Sequence, residues 1–149
     1  MKENEVMIGD WFRFRYTIDG KEIVRTFRIS RIEDELGEYY VWGEGFGRMC
    51  YPRRLEPIPI TPEILEKNGF AKEKEDELGI TYYFLERPYT TQITLYKEPI
   101  CDVSILFKVW GRVPSSEGGV NDIHLCSVKY VHEMQHALRL AGIDKEIII

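Results

Sequence analysis

The stretch Trp11-Phe12-Arg13-Phe14-Arg15-Tyr16 alternates without a break, Phe12, Phe14 and Tyr16 on one side and Trp11, Arg13 and Arg15 on the other. Successive side chains of a pleated strand point to opposite faces, so this pattern suits a strand buried on one side. Asp19-Gly20 follows, a pair that readily takes the left-handed conformations of a two-residue hairpin turn. The next strand, "EIVRTFRISRI", sets Phe27 and Ile29 against Thr26, Arg28 and Ser30. "EDELGE" turns the chain into "YYVWG", and "GFG" turns it again into "RMCY". Four short strands with tight turns, followed by "PRRLEPIPI", predict a strongly bent sheet, a small SH3-like β-barrel over residues 1–60. Gly43, Gly45 and Gly47 also spell a glycine-rich loop, but phosphate binding needs a helix start behind it. Strand-like sequence follows instead, so the run reads as a hairpin turn.

"ITPEILEKNGF" carries a complete set of helix signals. Thr61 is placed to cap, Pro62 suits the first helical position, and Glu63 favours the positive end of the helix dipole. Gly69 can adopt the left-handed stop, with Phe70 folding back onto the helix. "AKEKEDELG" is too charged to bury and reads as an exposed loop or strand tip. "ITYYFLE", "TTQITLY" and "CDVSILFKVW" predict strands, and their proximity in sequence makes an antiparallel meander the default. "GRVPSSEGGVND", residues 111–122, reads as a long loop open to a functional role. A final helix is expected from about Leu125 to Ala141, ended by Gly142. The tail "IDKEIII" reads as a last strand in the protein's own sheet, the alternative being a strand lent to a neighbour.

The fold class expected is therefore α+β. An N-terminal small SH3-like β-barrel (1–60) precedes a short linking helix and an antiparallel strand meander with a C-terminal helix packed on it (61–149). The two parts can equally form one compact unit, since 149 residues are within the usual size of a single domain.

One string names a reaction. His132-Glu133-Met134-Gln135-His136 matches H-E-x-x-H, in which two histidines at i, i+4 hold zinc and the glutamate activates water. Three considerations oppose it. At 100° per residue, Tyr130, Val131, Met134, Ala137, Leu138 and Ala141 form the core face, which sends His132 and His136 toward solvent or a partner. The metzincin continuation fails, Arg139 and Gly142 standing where glycine and histidine belong, and no spacing recruits His124, Cys126 or Cys101 as a third ligand. A substrate cleft would also be cramped in a chain this short. Neither a catalytic group nor a cofactor is expected; if zinc hydrolysis held, His132 and His136 would be the ligands and Glu133 the base.

Net charge is −5, which speaks against duplex nucleic acid as a partner. The N-terminus has no apolar signal core, and no apolar run nears the ~20 residues that span a bilayer. With three cysteines in no recognisable spacing, these features predict a cytoplasmic protein of reduced thiols, with no membrane partner. Residues 1–60 hold ten basic against eleven acidic side chains, and eight of the ten are arginines, which fork onto carboxylate or phosphate. Trp11, Arg13, Arg15 and Arg28 are expected to share one outer face, a composition typical of binding hot spots. The plain alternative is a solvated sheet face whose arginines flank acidic neighbours and guard against edge pairing.

"LEPIPITPEILEKNGF" together with "SVKYVHEMQHALRLAGIDKEI" resembles an uncharacterised small-protein family encoded by phages, prophages and mobile elements of Bacteroidota. The matching blocks, residues 55–70 and 127–147, cover about a quarter of the chain. The resemblance implies a β-rich first part, a strand meander and a closing helix. It brings no catalytic residue, and in that family the second histidine of the last helix is not constant. The 111–122 segment is longer here than the family's linker. On this footing the chain is expected to be a non-enzymatic accessory factor that binds a host protein or sequesters a small anionic, nucleotide-like ligand. A zinc-dependent hydrolase using HEMQH and a virion or assembly component are the alternatives.

Overall fold

Two-residue turns set the first sheet. β1 (Trp11–Ile18) and β2 (Lys21–Glu35) are joined by Asp19 and Gly20, whose φ angles of 49° and 73° are both positive, as a type I′ hairpin requires. β3 (Glu38–Gly43) follows Leu36 and Gly37, again both left-handed, with the Gly37 amide donating to Asp34 Oδ1 at 2.9 Å. β4 (Phe46–Cys50) follows Glu44-Gly45, so the glycine-rich run is a hairpin turn. A 3-10 turn, Pro52–Arg54, then leads into β5 (Leu55–Pro57), which returns to pair with β1.

The computed structural model describes residues 6–72, 77, 81–85, 92–97, 107–114 and 120–149. The chain is a small α+β protein in which the strands of both sheets pair antiparallel and a helix follows the last strand. It divides into two compact units, Met1–Ile58 and Pro59–Ile149.

The sheet of the first unit has the order β4-β3-β2-β1-β5. β4 and β5 remain its edges, so the pairings among the described residues do not close it into a barrel. β2 serves two ladders: Lys21 to Arg28 face β1, and Ile29 to Glu35 face β3, with a register shift between Ile29 and Arg31. Phe12, Phe14, Phe27, Ile29, Val41, Cys50 and Leu55 form its core. Burial raises the Cys50 thiol pKa to about 11, so the group stays protonated. Gly43 lies flat against the Phe27 ring, which occupies the space a Cβ would need.

The second unit opens with α1 (Pro62–Lys67), which obeys each of its sequence signals. Thr61 Oγ1 accepts from the Ile64 amide at 3.4 Å, Gly69 takes φ 76°, and the Phe70 amide returns to the Leu65 carbonyl at 3.0 Å. β6 (Ala71–Lys72), β7 (Thr81–Leu85), β8 (Gln92–Lys97), β9 (Phe107–Pro114) and β10 (Val120–Val128) form a meander in the order β10-β9-β8-β7-β6. Ala71, Lys72 and Glu77 of the charged segment are exposed; the rest of it, and residues 101–106 of the third expected strand, lie outside the described residues.

Three expectations are corrected here. The segment 111–122 is not a long loop: 111–114 and 120–122 are strand, Pro114 pairs with Val120, and only 115–119, outside the described residues, separate them. The last helix does not begin near Leu125. Residues 125–128 belong to β10, and α2 (Val131–Leu140) starts after the extended Tyr130. The tail is not a strand either; residues 143–149 run as irregular chain, with Ile143 and Ile147 buried.

Two substitutions test these constraints by urea denaturation. Leu36 is fully exposed at φ 55°, where a bulky side chain is strained, so Leu36→Asn is expected to raise stability by about 1 kcal/mol. Gly43→Ala forces a methyl into the Phe27 ring and is expected to lower it by roughly 1–3 kcal/mol.

Candidate functional site

Cross-strand register gathers the four expected residues on one face. Trp11 sits directly opposite Arg28, Arg13 opposite Thr26, and Arg15 opposite Val24, while on the other side of β1 Arg13 faces Glu56 of β5. Directly paired residues of an antiparallel ladder project to the same side. Arg13 and Arg15 are exposed, Trp11 and Arg28 half-buried.

Acidic neighbours pair with two of these arginines, Arg15 and Arg28. Arg15 donates to Glu56 through Nε at 2.9 Å and to Glu22 through Nη1 at 2.8 Å, which raises its pKa further above an already high value. The hydrogen bond from Arg15 holds the Glu56 carboxyl below the usual carboxylate range, and the charge of Arg13 adds to the effect. Glu56 thus contributes stability that is present above the ordinary carboxylate pKa and fades as pH falls through the lowered folded value. Arg28 donates to the Gly9 carbonyl at 3.3 Å and lies 3.6 Å from Glu44. Among the described residues, Arg13 meets this network through its charge on Glu56.

The sequence reading missed the turn ahead of β1. Asp10, fully buried, accepts from the Met7 amide at 2.8 Å, and Gly9 and Asp10 exchange main-chain bonds with Ile29 at 2.7 and 2.9 Å. The turn so fixed leaves Met7 and Ile8, 48% and 61% exposed, next to Trp11 in the chain and tied to Arg28 through Gly9. Nothing in "EVMIGDW" marks these apolar residues as surface; only the buried aspartate reveals the turn.

A second aromatic–arginine group lies on the outward face of β2 and β3. The Arg31 guanidinium sits 4.4 Å from the Trp42 ring centre; Glu33 accepts from Trp42 Nε1 at 3.1 Å and forms an ion pair with Arg31 at 3.2 Å. Tyr40 packs on Tyr51 at 4.9 Å, with Arg53 over the Tyr51 ring at 4.7 Å. Contacts to Tyr51 and Glu38 push the Tyr40 hydroxyl pKa up. The alternation of "YYVWG" signals Tyr40 and Trp42; their partners follow only from register.

The HEMQH residues are placed differently from expectation. Of the expected core face, Val131, Met134, Ala137 and Leu138 are buried and Tyr130 and Ala141 half-buried, but Gln135 and, at 5% exposure, His132 are buried as well. Its ring stacks on Tyr130 at 5.9 Å and meets His136 edge-on at 5.9 Å. Arg139, two turns on at nearly the same azimuth, is exposed, so what covers His132 covers only the first turns of the helix. A uniform helical projection cannot show such local cover. His136 is half-buried and His124 exposed.

Glu133 has a structural task. Its Oε2 accepts from the amides of Lys129 at 2.6 Å and Tyr130 at 3.0 Å, satisfying the chain where β10 gives way to α2. Burial, then the charge of Glu133, raises the Cys126 thiol pKa. Cys50 and Cys126 are free thiols, and Cys101 lies outside the described residues. Among the described residues, no three His, Cys, Asp or Glu side chains gather as a metal site, and no helix is long and apolar enough to cross a membrane.

Compared with family models, curated proteins and solved structures, the chain matches none.

If capping is the role of Glu133, Glu133→Ala should lower stability by about 1 kcal/mol while Glu133→Gln, which can still accept, keeps most of it. Stoichiometric zinc surviving dialysis of the parent protein and lost in His132→Ala would restore the metal reading.

Proposed function

We propose that the protein is a non-enzymatic binding protein, a phage or mobile-element accessory factor acting in the bacterial cytoplasm, that docks a host protein on its β1–β2 face. The observation that carries this reading is the juxtaposition of Trp11 and Arg28 across the ladder, with exposed Arg13 on the same face and exposed Met7 and Ile8 a few residues ahead in the chain. Tryptophan, arginine and methionine are residue types enriched in protein interfaces, and strands β1 and β2 hold Trp11, Arg13 and Arg28 in place at little entropic cost.

Sequestration of a small anionic ligand fits this face less well. A phosphate reaching Arg15 must compete with two carboxylates already on its guanidinium, and Glu44 stands beside Arg28. Those same carboxylates suit a macromolecular partner, where alternating charges fix register and exclude wrong partners. The hydrolase reading is disfavoured because the carboxylate of Glu133 is engaged by two main-chain amides. A virion or assembly role has no comparable support, since the tail that would add a strand to a neighbour is folded back onto α1.

The architecture proposed for the first unit is an SH3-like barrel. Its support is the strand order β4-β3-β2-β1-β5, a long second strand shared by two ladders, and the 3-10 turn between the fourth and fifth strands. Such a scaffold presents sheet faces and hairpins to many kinds of partner, so the function rests on the residues and not on the architecture.

A photo-reactive residue at Thr26, on the docking face, should crosslink one host protein that the same residue at Glu66 does not. Arg13→Ala should weaken that capture about tenfold or more while shifting the melting temperature by less than about 2 °C. Undiminished capture by Arg13→Ala and Trp11→Ala would sink the proposal. Micromolar binding of a nucleotide, lost in Arg13→Ala, would instead assign the face to an anion.

A further inference from the structure

Two hairpin turns of the first unit meet the same backbone demand with different residues. At Asp19-Gly20 the left-handed first position holds aspartate, a type that tolerates it, whereas at Leu36-Gly37 it holds leucine at φ 55°. Leu36 is also fully exposed, so one residue combines backbone strain with an apolar side chain in water. At that exposure it packs on nothing among the described residues.

The turn ends a projecting arm. Ile32 and Val41 are the last facing pair of the β2–β3 ladder that reaches the core, and Glu33–Tyr40, Asp34–Tyr39 and Glu35–Glu38 continue the ladder past it. Residues 34–39 are all exposed. Trp42 Nε1 donates to Glu33 at 3.1 Å, the Tyr40 hydroxyl to Glu38 at 2.9 Å and the Gly37 amide to Asp34 at 2.9 Å, which braces the arm from root to tip. An anchor already held in place loses little freedom on binding. Glu35 and Glu38 face each other directly beside Leu36, where like charges repel. Within residues 31–40 four carboxylates stand against one cation, Arg31, which is engaged by Glu33 and Trp42.

Strain, exposure and repulsion thus converge on one tip. One kind of environment relieves the last two together: an apolar pocket for Leu36 with cations on its rim. A bilayer surface fits less well, because anionic headgroups repel the same carboxylates. We propose that the β2–β3 hairpin is a docking arm. Leu36 enters an apolar pocket of a partner protein whose rim carries lysine or arginine, and one such cation bridges Glu35 and Glu38. The arm uses none of the residues of the Trp11–Arg28 face and does not rest on the reading given for that face.

A photo-reactive phenylalanine in place of Tyr39, exposed on the arm, is activated in the cells from which the chain derives. The crosslink should map to one protein, at a surface segment that combines apolar side chains with lysine or arginine. With that protein purified, Leu36→Asn should weaken binding roughly ten- to a hundredfold, the worth of burying a leucine side chain. The same variant should gain stability, a pairing that a folding defect cannot produce. Glu35→Gln with Glu38→Gln should weaken binding and flatten its salt dependence. Absence of a crosslink, a crosslink to lipid or only to a second copy of the chain, or equal affinity of parent and Leu36→Asn overturns the proposal. So does a salt dependence untouched by the double glutamine variant.

Discussion

The first unit depends on one irregularity, the register break at Ser30. Before it, the odd residues of β2, Phe27 and Ile29, point to the core and the even ones point out. After it the parity reverses: Ile32 packs against the core while Arg31 and Glu33 turn outward. A continuous strand would have driven Arg31 and Glu33 inward, and no packed interior would accept that pair without many further hydrogen bonds. A bulge also increases local twist, so one extra residue lets β2 leave β1 and run beside β3. Gly43 completes the arrangement, because Ile29 pairs with it where the Phe27 ring needs an empty face.

That parity change separates two aromatic–arginine surfaces on one strand. Arg28 belongs with Trp11, Arg31 with Trp42, three residues apart yet in different neighbourhoods. In both, carboxylates hold the guanidinium groups in defined positions. Exposed ion pairs of this kind add little to stability. Their effect is on order: a surface whose long side chains are already oriented gives up less freedom on binding than one whose side chains roam.

Local chemistry was legible wherever one or two residues decide the geometry. Asp19-Gly20, the glycine-rich run and every position of the α1 cap and stop could be read directly, because φ preference and capping act over a few residues. The alternation of β1 and β2 gave the outward positions of Arg13, Arg15 and Arg28 for the same reason. Features decided by distant partners were not legible. Residues 125–128 suit either helix or strand until β9 pairs with them, and His132 lies on a face that is buried only because its own first turns are covered. Glu133 illustrates the difficulty of motifs: at the third position of a helix a glutamate is equally a catalytic base in a zinc string and a cap for the amides behind it. Where its oxygen goes distinguishes the two, and the string does not record that. The tail read as a strand because three isoleucines favour one, whereas its main chain meets the side chains of Asn68 and Lys67.

The turns of the first unit also carry a kinetic consequence. Three two-residue hairpins join β1 through β4, so most of that sheet forms between near neighbours in the chain, on the microsecond scale of hairpin closure. β5 is the exception: it returns to β1 across a separation such as the 41 residues between Arg15 and Glu56. Closing that long loop gains nothing until its ends meet, so it is the entropically costly step. The Arg15–Glu56 ion pair sits on that long-range ladder, where its opposite charges favour the pairing of β5 with β1.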